Sequence, residues 1–299
     1  MRAARQDYAA CSGCSLCLLV CPAWRATRDP RTSPEGRAKA LQAGATPAEI
    51  ASSAQACTLC GACEPVCPEK IDLIGMVLGL RRDLPDSPQR QALRVRVNGG
   101  GEAAPRPAAK AVLLAGPALR AAVPRLGKVL VLLDARVSED DGEDIAVALE
   151  AGVAVPAQRI ERFLAPLRAT QRIFVEDGFW MRHLRAWLPG KHLVGLGEAL
   201  SALEPVRRAL RADDLYVIEP RAYHEDYERL VKHYDRLRAE RGCATNLDLQ
   251  RIAIPAFEPE WILKGRSVAR IVVERFEDAV AFERLGLHPV VHVAELADH

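Results

Sequence analysis

The chemistry of this chain is concentrated in its cysteines: there are nine, and eight lie between residues 11 and 67. They form two runs, Cys11-x2-Cys14-x2-Cys17-x3-Cys21-Pro22 and Cys57-x2-Cys60-x2-Cys63-x3-Cys67-Pro68. In a reducing compartment such density points to metal or redox chemistry before disulfides. The spacing C-x2-C-x2-C-x3-C-P is the one that holds [4Fe–4S] cubanes in bacterial ferredoxins. Three thiolates on one tight loop reach three iron corners, and the fourth cysteine, in a short helical turn, points to the other cluster. The predicted cofactors are therefore two [4Fe–4S] clusters with crossed ligands. Cys11, Cys14, Cys17 and Cys67 would hold the first, and Cys57, Cys60, Cys63 and Cys21 the second. Pro22 and Pro68 turn the chain just after each crossing ligand. Gly61, beside Cys60, lets backbone approach a cluster closely, and Ser15 stands at the equivalent place in the first run.

Two structural zinc sites are the competing reading, since C-x2-C pairs also bind zinc. Two full quartets, each closed by Cys-Pro, fit that reading poorly. The ninth cysteine, Cys243, follows Gly242 and reads as a buried free thiol, with a remnant ligand as the alternative. His224, Glu225, Asp226 and His233 could suggest a metal. On one presumed helix the two histidines do not share a face, so a solvated polar helix is the expectation. Gly195-x-Gly197 is too short for a dinucleotide signature. Arg25, Arg28, Arg31, Arg37 and Lys39 stand against Asp29 and Glu35. A solvated face is the default for them, and a rim steering an acidic redox partner is the functional alternative. Trp24 reads as a packing residue that shields a cluster.

The elements that must position these residues follow from pattern. Residues 1–82 read as a helical two-cluster, ferredoxin-like domain. Its helices are expected near 36–43, 47–56 and 71–82, with Ser33 capping a helix that starts at Pro34. Residues 83–109 read as a linker, extended or mobile, with Pro85, Pro88, Gly99 to Gly101, Pro105 and Pro107. From Lys110 the pattern alternates. Strands are expected at 110–115, 128–133, 172–176, 215–219 and 270–274, and helices at 118–125, 143–151, 159–168, 178–187, 224–241 and 275–285. The fold class is thus α+β and α/β, the second part an at least partly parallel α/β sheet.

The second part also repeats itself. Val153-Ala-Val-Pro-Ala157 matches Ile252-Ala-Ile-Pro-Ala256, and Ile173-Phe-Val-Glu176 matches Ile271-Val-Val-Glu274. Leu132-Leu-Asp-Ala-Arg136 matches Val217-Ile-Glu-Pro-Arg221, and Glu198 matches Glu295. Ordered matches of this kind predict a duplicated α/β domain, with repeats at 110–203 and 204–299.

Composition narrows the function. Lys plus Arg is 41 against 39 Asp plus Glu, a balance that speaks against nucleic acid as the partner. No apolar run approaches the roughly 20 residues of a membrane helix, and cysteines follow Met1-Arg-Ala-Ala-Arg-Gln-Asp where a secretory signal would be apolar. A cytoplasmic protein is expected, meeting a membrane only through a partner.

The two quartets, the Ser33-Pro34-Glu35-Gly36-Arg37 element between them and the repeated α/β half together carry a resemblance. The chain resembles heterodisulfide reductase C/B (or D) type iron–sulfur proteins. It is similar to their relatives, the iron–sulfur subunits of anaerobic glycerol-3-phosphate dehydrogenase, glycolate oxidase and lactate-utilisation systems. Leu193-Val-Gly-Leu-Gly-Glu198 and Val290-Val-His-Val-Ala-Glu295 resemble the ends of that family's two cysteine-rich domains. Those domains usually carry Cys-Cys-Gly motifs that bind a further centre. Here residues 83–299 hold only Cys243, and Glu219-Pro220-Arg221 has arginine roughly where the family has cysteine. The resemblance implies the fold but not the family's C-terminal redox chemistry, and leaves that half as a docking body. The expected function is an electron-transfer subunit with no catalytic residue of its own. It would relay single electrons between a redox partner, flavin-containing or a multi-subunit oxidoreductase complex, and another acceptor. The alternatives are a subunit contributing directly to a disulfide, thiol or quinone active site, and a zinc-binding structural or regulatory protein.

Overall fold

The computed structural model describes residues 5–99 and 109–298. The chain is a mixture of helices and parallel α/β sheet with the cysteine runs at its N-terminal end. It packs as two compact units: residues 1–102 with 144–160, and residues 103–143 with 161–299.

In the first unit short helices start where side chains can cap them. Ser33 Oγ accepts from the Gly36 amide at 2.9 Å, with Pro34 opening helix Pro34–Gln42. Asp72 Oδ1 accepts from the Gly75 amide at 3.0 Å and starts Leu73–Arg82. Helices Pro22–Thr27 and Ala51–Ala56 complete the frame around the cysteines. Gln6 pairs with the chain after the second Cys-Pro: its amide donates to Lys70 O at 3.1 Å and its carbonyl accepts from Asp72 N at 2.9 Å.

The linker expected at 83–109 is in part a helix. Pro88–Asn98 is capped by Ser87, and its Val97 is buried with Ala148 and Val153. Pro88 acts as the first residue of a helix, where its missing amide costs nothing, and not as a breaker. Arg90 fastens this region, donating to the carbonyls of Arg81, Arg82, Ala151 and Gly152. Gly100, Gly101, Pro105 and Pro107 of the expected linker lie outside the described residues.

The second unit holds two four-stranded sheets. The first orders β2-β1-β3-β4, with β1 Ala111–Leu114, β2 Arg136–Val137, β3 Arg172–Val175 and β4 His192–Gly195. The second orders β6-β5-β7-β8, with β5 Asp214–Val217, β6 Ala244–Thr245, β7 Arg270–Val273 and β8 Val290–His292. Every pairing is parallel. β1, β3, β5 and β7 are apolar nearly throughout and buried, as parallel strands covered on both faces must be. The main core gathers Leu113, Phe174, Leu200, Tyr216, Tyr234 and Val272.

The run 128–133, expected as a strand, is the second half of helix Val123–Leu133. Leu126, Val129, Leu130 and Leu133 follow helical spacing and pack toward the core, whereas Val131 is 81% exposed. One of the sequence matches changes with it. Val217-Ile-Glu-Pro220 starts on the last residue of β5, so its topological counterpart is Leu114-Ala-Gly-Pro117 at the end of β1, not Leu132–Arg136. The expected helix 224–241 is two helices, Pro220–Glu225 and Tyr227–Arg241, broken at Asp226.

Candidate iron–sulfur centre

Each cysteine run bends through two left-handed residues placed on either side of its central cysteine. Gly13 and Ser15 have φ of 81° and 63° around Cys14; Leu59 and Gly61 have φ of 55° and 77° around Cys60. The two loops thus share one backbone conformation, and glycine relieves it at the first position in one and at the second in the other. Helix starts then aim amides at thiols. Cys21 is the N-cap of Pro22–Thr27, and the Ala23 and Trp24 amides face its sulfur. The Glu35 amide, in the first turn of Pro34–Gln42, faces Cys17. The Leu59 amide donates to Cys57 Sγ at 3.5 Å.

Two cavities result. One is lined by Cys21, Cys57, Cys60 and Cys63, with Pro34, Arg37 and Val77 in its wall. The other is lined by Cys11, Cys14, Cys17 and Cys67, with Glu35, Glu69 and Leu73. Cys17 and Cys63 also pack in one apolar cluster with Ile71 and Leu73. Burial pushes the Cys17 thiol up to about 12, and the Glu35 carboxylate adds to the rise. Burial likewise raises Cys60 to about 11 and Cys63 well above the usual thiol range. Cys21 is raised by burial too, against the pull of the two amides and of the Arg37 guanidinium. These thiols keep their protons until a cationic group displaces them. Among the described residues, no three His, Cys, Asp or Glu side chains are arranged to hold a single metal ion. Four thiols spread around a cavity suit a cage with one sulfur per iron corner.

Several basic residues leave the solvated face expected of residues 25–39. Arg31 does lie in water beside Asp29 at 2.7 Å, and Arg28 stacks over Trp24 at 5.1 Å. Lys39 donates from Nζ to the Cys11 carbonyl at 2.7 Å. Arg37 is only 1% exposed and binds Ser53 O at 2.8 Å and Thr32 O at 2.6 Å. Gly36, its neighbour, has no room for a side chain: a Cβ there would lie 2.1 Å from the Pro30 carbonyl. Arg81 is buried and donates to the carbonyls of Ala54 and Cys57. The depth of Arg37 and Arg81 was not legible in the sequence, because bonds to main-chain carbonyls leave no mark on the residue types around them. Trp24 is half-buried and is not in the wall of either cavity.

The remaining candidates serve packing. Cys243 is buried in the core, and burial raises its thiol to about 11. His224 is buried, not solvated, and its Nε2 accepts from the Ala253 amide at 3.1 Å. His233 lies on the next helix and bonds Ser201 at 2.8 Å. A Cβ on Gly197 would collide with Glu274, so that glycine answers to close packing.

A second polar constellation, unseen in the sequence, lies where β1, β3, β5 and β7 end. Glu176, after β3, accepts from the Gly116 amide at 2.7 Å and the Phe276 amide at 3.1 Å. Glu274, after β7, accepts from the Glu219 amide at 2.7 Å and from Tyr234 at 2.6 Å. Glu219 accepts from the amides of Ala222 at 2.6 Å and Gly178 at 3.2 Å. Burial raises Glu176 and Glu274 to about 7, and burial with the Asp177 charge raises Glu219 to about 8. Burial opposes ionisation of Asp177 as well, but Arg221 and Arg275 outweigh it and hold that carboxyl below the usual range. Arg221 and Arg275 each stand 3.2 Å from Asp177. In parallel α/β sheets this is where ligands bind; here the groups bind one another.

Among the described residues no helix is long and apolar enough to cross a membrane. Comparison with curated proteins and with solved structures returned no match. A family model described as a 4Fe-4S dicluster domain matches residues 7–71, which hold all eight clustered cysteines, and the chain therefore carries a 4Fe-4S dicluster domain at its N-terminal end.

Proposed function

We propose that this chain is the electron-transfer subunit of an oxidoreductase, carrying two [4Fe–4S] clusters. One would be held by Cys11, Cys14, Cys17 and Cys67, the other by Cys57, Cys60, Cys63 and Cys21. The observation that carries the reading is the composition of the two cavities: each is lined by three cysteines of one run and the last cysteine of the other. Bound there, the clusters supply one-electron acceptance and release. The chain's own residues bind them through thiolates, aim amides at the sulfurs and exclude water with Leu73, Ile74 and Val77. A flavin-containing dehydrogenase or reductase is the proposed donor or acceptor, since the dicluster domain moves electrons without a substrate of its own.

Residues 110–299, of which 144–160 pack with the first unit, are read as a duplicated α/β domain, repeats 110–203 and 204–299, of a heterodisulfide reductase-like chain. Its two sheets share one strand order, which supports duplication. Glu176 with the Gly116 amide repeats Glu274 with the Glu219 amide at corresponding strand ends, which supports it further. Bonded carboxylates and arginines fill those ends, which favours a docking body over a third centre.

Iron and sulfide determination on anaerobically purified protein tests this reading, together with paramagnetic resonance before and after dithionite. About eight irons per chain and reversible reduction are expected. A colourless protein holding zinc overturns the reading, and iron well above eight relocates the chemistry to a third centre.

A further inference from the structure

The two cavities differ in the charge built into their walls, and one helix supplies both signs. Pro34–Gln42 puts Arg37 in the wall of the cavity of Cys21, Cys57, Cys60 and Cys63, and Glu35 in the wall of the other. Two residues apart on a helix, these side chains point roughly opposite ways. Arg37 Nε and one Nη bond carbonyl oxygens, but the other Nη is buried with no acceptor. Among the described residues no carboxylate pairs with it. Carbonyls satisfy donors without cancelling charge, and a buried guanidinium without a counter-ion is costly. Glu35 is its mirror: its Oε2 is buried and lacks a donor. Other charges near the cavities do not undo this contrast. Lys39 is exposed, so water screens it, and Glu64, beside Cys63, is paired with Arg5. Arg81 adds a second buried cation next to Cys57.

A cubane on four thiolates is anionic, and adding an electron makes it more so. A fixed cation nearby favours that step and a carboxylate opposes it. This inference rests on the two-cluster reading above. We propose that helix Pro34–Gln42 polarises the pair: Arg37 is the counter-ion of the cluster on Cys21, Cys57, Cys60 and Cys63, Glu35 disfavours reduction of the other, and the first electron entering the protein rests beside Arg37. One electron passes from a one-electron donor such as a reduced flavin, and no bond forms or breaks. Cys14 is exposed, and its hydration works the other way. The unscreened charge of Arg37 outweighs a partial gain of water.

The test is an anaerobic redox titration of the full-length holoprotein followed by paramagnetic resonance, with C60A assigning the signals. In the wild type, the signal that appears first is the one that C60A loses. Arg37→Gln should lower the reduced-to-oxidised ratio of that signal at least tenfold at fixed ambient potential, about 59 mV for one electron. The other signal should stay in place. Arg37→Lys, which keeps the charge, should restore most of the shift. Glu35→Gln should move the other signal toward easier reduction. If Arg37→Gln fails to retain iron, Glu35→Gln and the order of the wild-type signals decide. Equal shifts in Arg37→Gln and Arg37→Lys, an unmoved signal in Glu35→Gln, or a first electron on the cluster of Cys11, Cys14 and Cys17 overturns the inference. A wild-type protein without iron overturns the electron-transfer reading itself, whereas about eight irons with unshifted potentials overturns only this inference.

Discussion

The carboxyls at the strand ends make the second unit lose stability as solution turns alkaline. Glu176 and Glu274 are raised to about 7 and Glu219 to about 8 by burial, against about 4.3 for a glutamate in an unfolded chain. A carboxyl raised in this way binds its proton more tightly when folded. Its stabilisation is complete below the unfolded value and is lost as pH rises through the folded one. His183 and His292 have the opposite sign. Burial lowers both to about 4, so their stabilisation is present above the unfolded value of about 6.5 and fades as pH falls. Asp177, held low, acts in acid as well. In the window from about pH 7 to about pH 8.5 the glutamates dominate, and Cys243, raised by burial to about 11, begins to add to the same decline near its upper end. Across it Glu219 forfeits on the order of 1 kcal/mol and Glu176 and Glu274 less, a total of roughly 2 kcal/mol. For a unit of this size the loss corresponds to roughly 4–8 °C in Tm. Circular dichroism melts of the anaerobic holoprotein at fixed scan rate read it. Glu219→Gln keeps one of the two acceptor oxygens, enough for the Ala222 amide at the cost of the Arg221 one, and cannot titrate. It should flatten the decline by more than half, and comparing it with the wild type at each pH cancels any lability of the clusters. A Tm that stays level or rises across the window, or a Glu219→Gln variant that falls as steeply as the wild type, refutes the assignment.

Double variants test the crossed ligands by iron content. Cys21→Ala with Cys60→Ala should spare one quartet and leave about four irons, whereas Cys21→Ala with Cys14→Ala should damage both; the reverse result means that each run holds its own cluster. Ser15→Gly relieves a left-handed backbone at φ of 63° and should stabilise the first unit by up to about 1 kcal/mol in urea unfolding; no gain would mean that the Ser15 side chain repays the strain. Gly36→Ala drives a Cβ to 2.1 Å from the Pro30 carbonyl and should cost about 2 kcal/mol or more, with iron lost under mild denaturant; wild-type retention would show that the turn can shift.

How much of this was legible in the sequence depended on what kind of signal each element leaves. β1, β3, β5 and β7 were found because covered parallel strands are continuous apolar runs. Helix Val123–Leu133 was misread for the same reason: its apolar stripe and the exposed Val131 merge into one unbroken run, which hides the helical period. The two-residue strands Arg136–Val137 and Ala244–Thr245 are too short to show any period, and only their neighbours in the sheet define them. Pro88 misled because proline both breaks and begins helices, and Ser87 before it is the feature that decides.

The site divides along a sharper line. Ligand cysteines announce themselves, since their spacing is fixed by the geometry of the group they would hold. The charges that tune such a group do not, because what matters is depth and the absence of a partner. Arg25, Arg28, Arg31, Arg37 and Lys39 look alike as a basic stretch, yet only Arg37 is fully buried in a cavity wall. The difference comes from Gly36, which lets the first turn of Pro34–Gln42 close onto the Pro30 carbonyl, and from the Ser53 and Thr32 carbonyls that take the guanidinium. The strand-end carboxylates follow the same rule. Glu176 and Glu274 read as ordinary ends of β-strands, and their burial emerges only when the Gly116 and Glu219 amides come to meet them across each sheet. Buried charge, unlike a ligand motif, is a property of three-dimensional neighbours, so the residues that set a potential or a pH response are those a linear reading is least equipped to name.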